Sequence, residues 1–357
     1  MNTSINSLSL ARQLSVSESM IQRSRRLLRG DIASVQEDLS SGLRINRPSE
    51  DPVGFEQARR LERFNKELEQ YDRSISAAKN WNNVTQSSLD QLAELFTDAY
   101  EDAVQAANDT YDEDERAAIA ERLRGIRSSV VDELNTKVDD EFIFSGNNSL
   151  QKPFIDDPAS PDFGQVIDPG SGPPPVAAAD YTAFDGDRVR HIGPRLQVKV
   201  NQTAQDVHQI TAEPVGPPDD PVDPPAGITI IDALDNLIEA VDPATPLPAP
   251  LTNNPPFPTP PGPADQQEAI QNGLHVIEIA RDHLIDKGAK AGEVGNRLNL
   301  AERRLEDVSL SVTERQSKTE DTDFATAVTD YERYQNSLQA ALRVQSTADQ
   351  ITLLDYI

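Results

Sequence analysis

The stretch LERFNKELEQYDRSISAAKNWNNVTQSSLDQLAELFTDAYEDAVQA, residues 61–106, carries the clearest structural signal in the chain. One set of its residues alternates steps of three and four without a slip, and that spacing places them on a single stripe of a helix. A helix of about 50 residues is about 80 Å long, so a stripe this narrow requires partner helices along its length. Two members, Asn82 and Thr85, are polar and are expected to set register. The stripe consists of Leu61, Phe64, Leu68, Tyr71, Ile75, Ala78, Asn82, Thr85, Leu89, Leu92, Phe96, Ala99, Ala103 and Ala106.

Similar helical patterns lie on both sides of this stretch. Upstream, an apolar stripe with one stutter runs from Leu10 to Leu39, and Gly42 and Pro48 break it before a restart at Pro52. Downstream, Thr110-x-x-Glu113 predicts a capped helix, and Asp265-x-x-Glu268 opens the last helical region. The final stripe of that region runs from Phe324 to Ala341.

Proline separates the two helical ends. Twenty-four of the 26 prolines lie between Pro153 and Pro263, and a proline costs about 3 kcal/mol inside a helix. Within that region, Arg188 to Asn201 alternates as strands do, and Ile228 to Val241 predicts a short strand and helix. The tracts Pro214 to Pro225 and Pro243 to Pro263 are expected to be exposed loops or extended linkers.

We therefore predict a mainly α protein in which both chain ends form a long antiparallel helical rod or coiled coil, with a proline-rich, β-containing insertion. The expected parts are a terminal coiled-coil assembly domain (1–50 with 318–357), a helical rod domain (51–152 with 264–317) and an outer insertion (153–263). Each terminal stripe is too narrow to be stable alone, so the two ends should pack on each other and on further copies. The expected assembly interface consists of Leu10, Leu14, Ile21, Leu28, Ile32, Val35, Leu39, Tyr331, Tyr334, Leu338, Leu342, Leu353 and Leu354.

Composition limits the function further. The formal net charge of −27 argues against non-specific binding to nucleic acid or to an anionic membrane, because both would repel the chain. The excess of acidic residues is explained either by a need for solubility before assembly or by adaptation to a salty environment. The chain has no cysteine, no classical signal peptide at its start and no apolar run of about 18 residues. It is expected to be cytoplasmic or to be exported without a cleaved signal.

The sequence offers no catalytic constellation, and we expect neither an enzyme nor a cofactor or metal site. His275 and His283 lie eight residues apart, a spacing wider than zinc sites on helices use, and a solvent-exposed face is the expected location. The acidic run Asp112 to Glu115 is expected at a helix amino terminus, where the dipole favours negative charge.

One break between helices carries a family resemblance. Residues 39–52, LSSGLRINRPSEDP, resemble the turn after the first helix of the flagellin family, and the RPSEDP variant is more similar to the family's hook–filament junction members. Residues 135–154, 293–298 and 353–357 resemble three further segments of the family in the same order. The motif turn consists of Ser41, Gly42, Arg44, Ile45, Asn46, Arg47, Pro48, Asp51 and Pro52.

The resemblance implies a structural subunit exported unfolded through the flagellar channel, without a cleaved signal, to the extracellular flagellum. The implied partners are identical subunits in a ring, the other hook-side junction protein, flagellin and a cytoplasmic export chaperone at the C-terminal helix. The closest alternative is a flagellin filament subunit, and a remoter one is an unrelated coiled-coil adaptor.

Overall fold

The computed structural model describes residues 2–108, 111–171, 174–178, 181–210, 228–244 and 266–354, with side chains from residue 19 onward except 345 and 347–354. The predicted fold class is confirmed, because long helices form at both chain ends and small sheets lie between them. The helices are α1 Asn2–Ser41, α2 Pro52–Ala106, α3 Glu113–Leu134, α4 Ala204–His208, α5 Ile230–Val241, α6 Gln266–Glu320 and α7 Phe324–Leu354. Within this part of the chain, no helix has both the length and the apolar character of a membrane span.

Helix α2 follows the stripe that predicted it. Pro52 occupies its first turn, and Asp51 caps it by accepting a hydrogen bond from the Gly54 amide at 2.9 Å. The stripe is buried from Ile75 onward. Its polar members Asn82 and Thr85 are 2% and 1% exposed, so they lie among the core residues.

The chain divides into two compact units, Met1–Glu69 with Glu306–Ile357 and Gln70–Leu305. In the first unit α1 and α7 pack together, and the start of α2 lies against the end of α6, where the Asn65 amide donates to Gln316 at 3.0 Å. The division into three domains expected from the sequence stays a prediction.

In the second unit, α2 and α6 run antiparallel and are linked by an ion pair between Lys79 and Glu302 at 2.8 Å. Helix α3 begins with a capping box between Asp112 and Glu115. The predicted capping box of Thr110 with Glu113 is therefore wrong in register, and Thr110 itself lies outside the described residues. The expectation that the run 112–115 starts a helix is correct.

The segment between α3 and α6 contributes two small antiparallel sheets to the second unit. The first pairs β1 Lys137–Val138 with β2 Glu141–Phe142, and the second pairs β3 Val189–Gly193 with β4 Leu196–Lys199. The predicted strands within 188–201 are confirmed, as is the helix within 228–241. Helix α5 buries its apolar residues and is joined to α3 by an Arg127–Asp235 ion pair at 2.5 Å. The predicted proline-rich tract Pro214 to Pro225 lies outside the described residues, and so does Pro243 to Pro263 apart from residues 243–244.

Candidate assembly interface

The predicted interface residues lie on α1 and α7, which pack against each other in antiparallel orientation. The side-chain amide of Gln36 donates to the Tyr331 hydroxyl at 3.0 Å. Just beyond the end of α1 and just before the start of α7, Leu43 and Asp321 form an antiparallel β-bridge. Eight of the predicted side chains are half-buried in this unit: Ile21, Leu28, Ile32, Val35, Leu39, Tyr331, Tyr334 and Leu338. The remaining side chains behave differently. Leu342 is 41% exposed, and the side chains of Leu10, Leu14, Leu353 and Leu354 lie outside the described part of the chain.

Pairing of the two helices leaves apolar surface uncovered. Met20 and Leu27 on α1 are 66% and 63% exposed, and Val344 on α7 is 58% exposed. Fully burying a side chain of this kind stabilises a structure by about 1.5–3 kcal/mol, so each is a source of free energy that the single chain does not use. The unit can therefore gain apolar burial by binding further helices.

The motif turn between α1 and α2 is attached to the junction of α6 and α7 by backbone hydrogen bonds. The Arg44 amide donates to Glu320 O at 2.6 Å, and the Thr322 amide donates to Gly42 O at 2.9 Å. The Arg44 guanidinium adds a bond to Thr319 O at 2.7 Å. Gly42 has a φ of +75°, a conformation that glycine adopts without strain just after a helix. The turn thus joins segments that are almost 280 residues apart in sequence.

Side chains within the turn fix its shape. The Asn46 side-chain amide donates to Asp38 Oδ1 and to Leu43 O, both at 2.9 Å. Glu50 accepts from the Asn46 and Arg47 amides at 2.8 and 3.0 Å. Because each of these groups satisfies a backbone or side-chain partner, the family motif has a local physical explanation here.

Three further motif residues connect the turn to the helices on either side. Arg47 pairs with Glu37 on α1 at 2.8 Å. Ile45 is 4% exposed, and a side chain at Gly54 would meet its Cδ1 at 2.7 Å, so glycine allows the close approach of α2. Ser41 Oγ accepts from the Leu43 amide at 3.1 Å, while Pro48 lies exposed.

The carboxyl group of Asp38 is the electrostatically unusual group of the turn. Burial raises its pKa, and the negative charge of Glu50 raises it further. The hydrogen bond from Asn46 acts in the opposite direction. Asn46 therefore compensates for an acidic pair that would otherwise weaken the turn.

The α6–α7 junction that receives the motif turn was not predicted from the sequence. Asp323 caps α7, accepting from the Ala325 amide at 3.0 Å, and hydrogen bonds to the Thr326 amide and hydroxyl lower the pKa of its carboxyl. The acidic and hydroxyl residues at 321–323 were the available signal, because such residues are preferred at helix starts.

The histidine expectation is wrong for one residue. His283 is 9% exposed and its Nε2 lies 3.1 Å from Asp206 O, whereas His275 is half-buried. Burial lowers the pKa of His283, and the nearby Lys287 lowers it further. A group of three or more metal-binding side chains does not occur among the residues that the structure describes.

Two family models match the helical ends. The bacterial flagellin N-terminal helical region matches residues 6–149, and the bacterial flagellin C-terminal helical region matches residues 274–357. Together they cover more than half of the chain, and they include α2, α3 and α7 and most of α1 and α6. The chain belongs to the flagellin family.

Curated relatives match part of the chain. It is 32% identical over 119 residues to flagellar hook-associated protein 3 of Salmonella typhimurium, covering 33% of this chain and 38% of the relative. It is 30% identical over 122 residues to the protein of that name from Escherichia coli, covering 34% and 38%. The flagellar filament 41 kDa core protein of Borreliella burgdorferi is 31% identical over 109 residues, covering 30% and 31%. The matched region thus spans about two fifths or less of each relative's length.

Solved structures share the fold over a larger part of the chain. A flagellar hook-associated protein candidate from Vibrio parahaemolyticus superposes with a TM-score of 0.56 at 18% identity, covering 76% of this chain and all of that structure. Hook-associated protein 3 of Legionella pneumophila gives a TM-score of 0.51 at 15% identity, covering 72% and 98%. At these identities the likeness supports the fold alone.

Proposed function

We propose that this chain is a structural subunit of the bacterial flagellum that joins hook-side proteins to the flagellin filament. The observation that carries the proposal is the α1–α7 pair, which is attached at the motif turn and leaves Met20, Leu27 and Val344 uncovered. Relatives named for hook association match about a third of the chain. Apolar surface on terminal helices suits a subunit that completes its core only when neighbours bind.

The proposed interface is the apolar set on α1 and α7 listed above, and the proposed neighbours are identical subunits, the other hook-side junction protein and flagellin. We also propose export in an unfolded form, with a cytoplasmic chaperone covering α7 before assembly. A chain without cysteine cannot be locked by disulfides, and the exposed Leu342 and Val344 offer a chaperone an apolar surface. Assembly outside the cell would follow release of that chaperone.

Deletion of residues 1–30 or of the last 30 residues tests this function. We expect cells producing either truncated chain to release their filaments and to keep bare hooks, which electron microscopy of the cell surface would count. Attachment of normal filaments in either truncation would contradict the proposal.

A matched pair of point variants refines the same test. Leu338→Asp places a charge in the half-buried interface, whereas Gln339→Asp places it on the exposed neighbouring position. We expect only the first to reduce filament attachment, because burying an unpaired charge is costly. Equal attachment in both variants would remove Leu338 from the interface.

A flagellin filament subunit is the second candidate, favoured by the likeness to the filament core protein of Borreliella burgdorferi. The two functions differ in location along the flagellum. Immunogold label restricted to the base of detached filaments would support the junction, and label along their whole length would support the filament subunit.

A further inference from the structure

The β3–β4 hairpin carries positive charge in an acidic protein. Residues 188–199, RVRHIGPRLQVK, contain four cations and no acid, although the whole chain has a net charge of −27. Two of these cations are paired within the unit, Arg188 with Glu141 and Lys199 with Asp187, each at 2.5 Å. The other two are available to a partner.

Arg190 and Arg195 are those two cations. Both are exposed, and neither forms an ion pair with any residue that the structure describes, although Arg190 lies within the electrostatic field of Glu141. The hairpin also carries exposed apolar side chains, since Val189 and Leu196 are 43% and 42% exposed. Arginine is enriched at protein interfaces, and the core of an interface is more apolar than the rest of the surface, so a hairpin that exposes both kinds of side chain suits a partner.

The backbone at Arg195 supports a role for its side chain. The hairpin turn consists of Pro194 and Arg195, and proline at the first position excludes the favoured hairpin turns that need a positive φ there. The positive φ falls instead on Arg195, at +97°, a value that strains any residue with a Cβ atom. Glycine would relieve this strain. We therefore infer that the arginine side chain has a role in binding that offsets the cost of its backbone conformation.

A complementary acidic face lies on α2 of the same unit. Glu94, Asp98 and Glu101 follow one another at helical spacing, which places them on one stripe about 10 Å long. All three are exposed, and none forms an ion pair with a described residue. The adjacent Asp102, by contrast, is paired with Arg122 at 2.8 Å.

We propose that the β3–β4 hairpin of one copy binds the Glu94–Glu101 stripe of the next copy. The inference deepens the proposed function, because it rests on neighbouring copies of this chain in the flagellum and names a contact between them. Hairpin and stripe are different surfaces, so the contact is heterologous and repeats around a ring or along a helix. Opposite charges on the two surfaces fix its register.

Disulfide cross-linking of full-length copies tests the contact. Because the chain has no native cysteine, only the introduced cysteines can form disulfides. Gln197→Cys marks the hairpin and Gln91→Cys marks the helical turn before the stripe, both at exposed positions. We expect an equal mixture of the two proteins to form disulfide-linked dimers at least tenfold faster than Gln197→Cys mixed with Asn296→Cys, an exposed control on α6. Equal rates in the two mixtures would overturn the proposal.

Charge reversal then identifies the attracting groups. Arg190→Glu with Arg195→Glu on the hairpin copy should lower the cross-linking rate about tenfold, and Glu94→Lys with Asp98→Lys on the stripe copy should restore it. The control, Arg303→Glu with Arg304→Glu on exposed α6 positions, should leave the rate unchanged. Loss without restoration would show that the two surfaces do not meet.

Arg195→Gly separates binding from folding. We expect the melting temperature to rise, because strain at φ +97° is relieved, while cross-linking falls several-fold. Full cross-linking in this variant would show that Arg195 does not contribute to the contact. If these cross-links fail while terminal truncation still releases filaments, this contact is wrong and the proposed function stands.

Discussion

At the scale of single residues, His208 links the stability of the second unit to pH. Its side chain is fully buried, its Nδ1 lies 2.9 Å from the Tyr181 hydroxyl, and its ring packs on Phe154 with centroids 5.0 Å apart. Burial lowers the pKa of His208 to about 4, and the negative charge of Asp232 offsets only part of that effect. The folded unit therefore holds this imidazole neutral at a pH where the unfolded chain would protonate it.

The sign of the pH dependence follows from this depressed pKa. The unfolded chain binds the extra proton below about pH 6.5, so stability is fully present above that value and is lost as pH falls toward 4. The loss amounts to about 3 kcal/mol at the lower end. We expect urea unfolding, followed by the fluorescence of the single Trp81, to show this decline.

The variant His208→Gln provides the comparison, because glutamine can hydrogen-bond to Tyr181 but does not titrate. We expect the variant to have a lower free energy of unfolding at pH 7, and we expect that free energy to decline less between pH 6.5 and 4. The same slope in both proteins would mean that other groups, such as carboxylates, produce the decline.

At the scale of elements, the motif turn holds four helix ends together, and Asn46 is the side chain on which its internal network depends. Asn46→Ala removes both side-chain hydrogen bonds and leaves the repulsion between Asp38 and Glu50 opposed only by the positive charge of Arg44. The expected cost is about 1–2 kcal/mol. We expect hydrogen exchange at the Arg44 and Thr322 amides to accelerate, since these two donors join the turn to the α6–α7 junction.

Ser49→Ala serves as the control for that measurement. Ser49 belongs to the same turn and is exposed, so its removal should leave exchange at both amides unchanged. Equal acceleration in the two variants would indicate that the turn responds to any substitution and that Asn46 has no special part.

Helices α2 and α3 differ in how much of each could be predicted from the sequence. The stripe in α2 repeats every three or four residues, and that local period was enough to predict its helix and its buried face from Ile75 to Ala106. The cap of α3 was misplaced because Thr110 and Asp112 are both acceptable capping residues, and only the backbone shows which one bonds to the helix start.

Burial of His283 was not predictable for a different reason. It depends on α4, which reaches α6 from a region whose weak periodicity says nothing of its packing partner. The pairing of residues 42–44 with 320–322 is likewise a contact of distant segments. Periodicity and resemblance predicted the candidate interface, but the exposure of Leu342 depends on how α1 and α7 pack against each other.

At the scale of the whole molecule, charge opposes compactness. The chain has 60 acidic and 33 basic residues, so even complete pairing would leave the net charge of −27 uncompensated. The ion pairs of the described residues are mostly at the surface, where each contributes about 0–1 kcal/mol. We therefore expect long-range repulsion among the excess carboxylates to outweigh the attraction that salt would screen within these pairs.

We predict that salt stabilises the protein. Raising NaCl from about 0.1 to about 1 M shortens the screening length from about 10 to about 3 Å, which weakens repulsion between distant carboxylates more than attraction within contacting pairs. The melting temperature from circular dichroism should rise by a few degrees. In the variant Glu306→Gln with Asp307→Asn and Glu314→Gln, all three positions are exposed on α6. We expect its melting temperature to be higher at low salt and to increase less when salt is added. Sucrose should raise both proteins equally, because exclusion from the surface does not depend on charge. A melting temperature that falls with salt would mean that the ion pairs outweigh the repulsion.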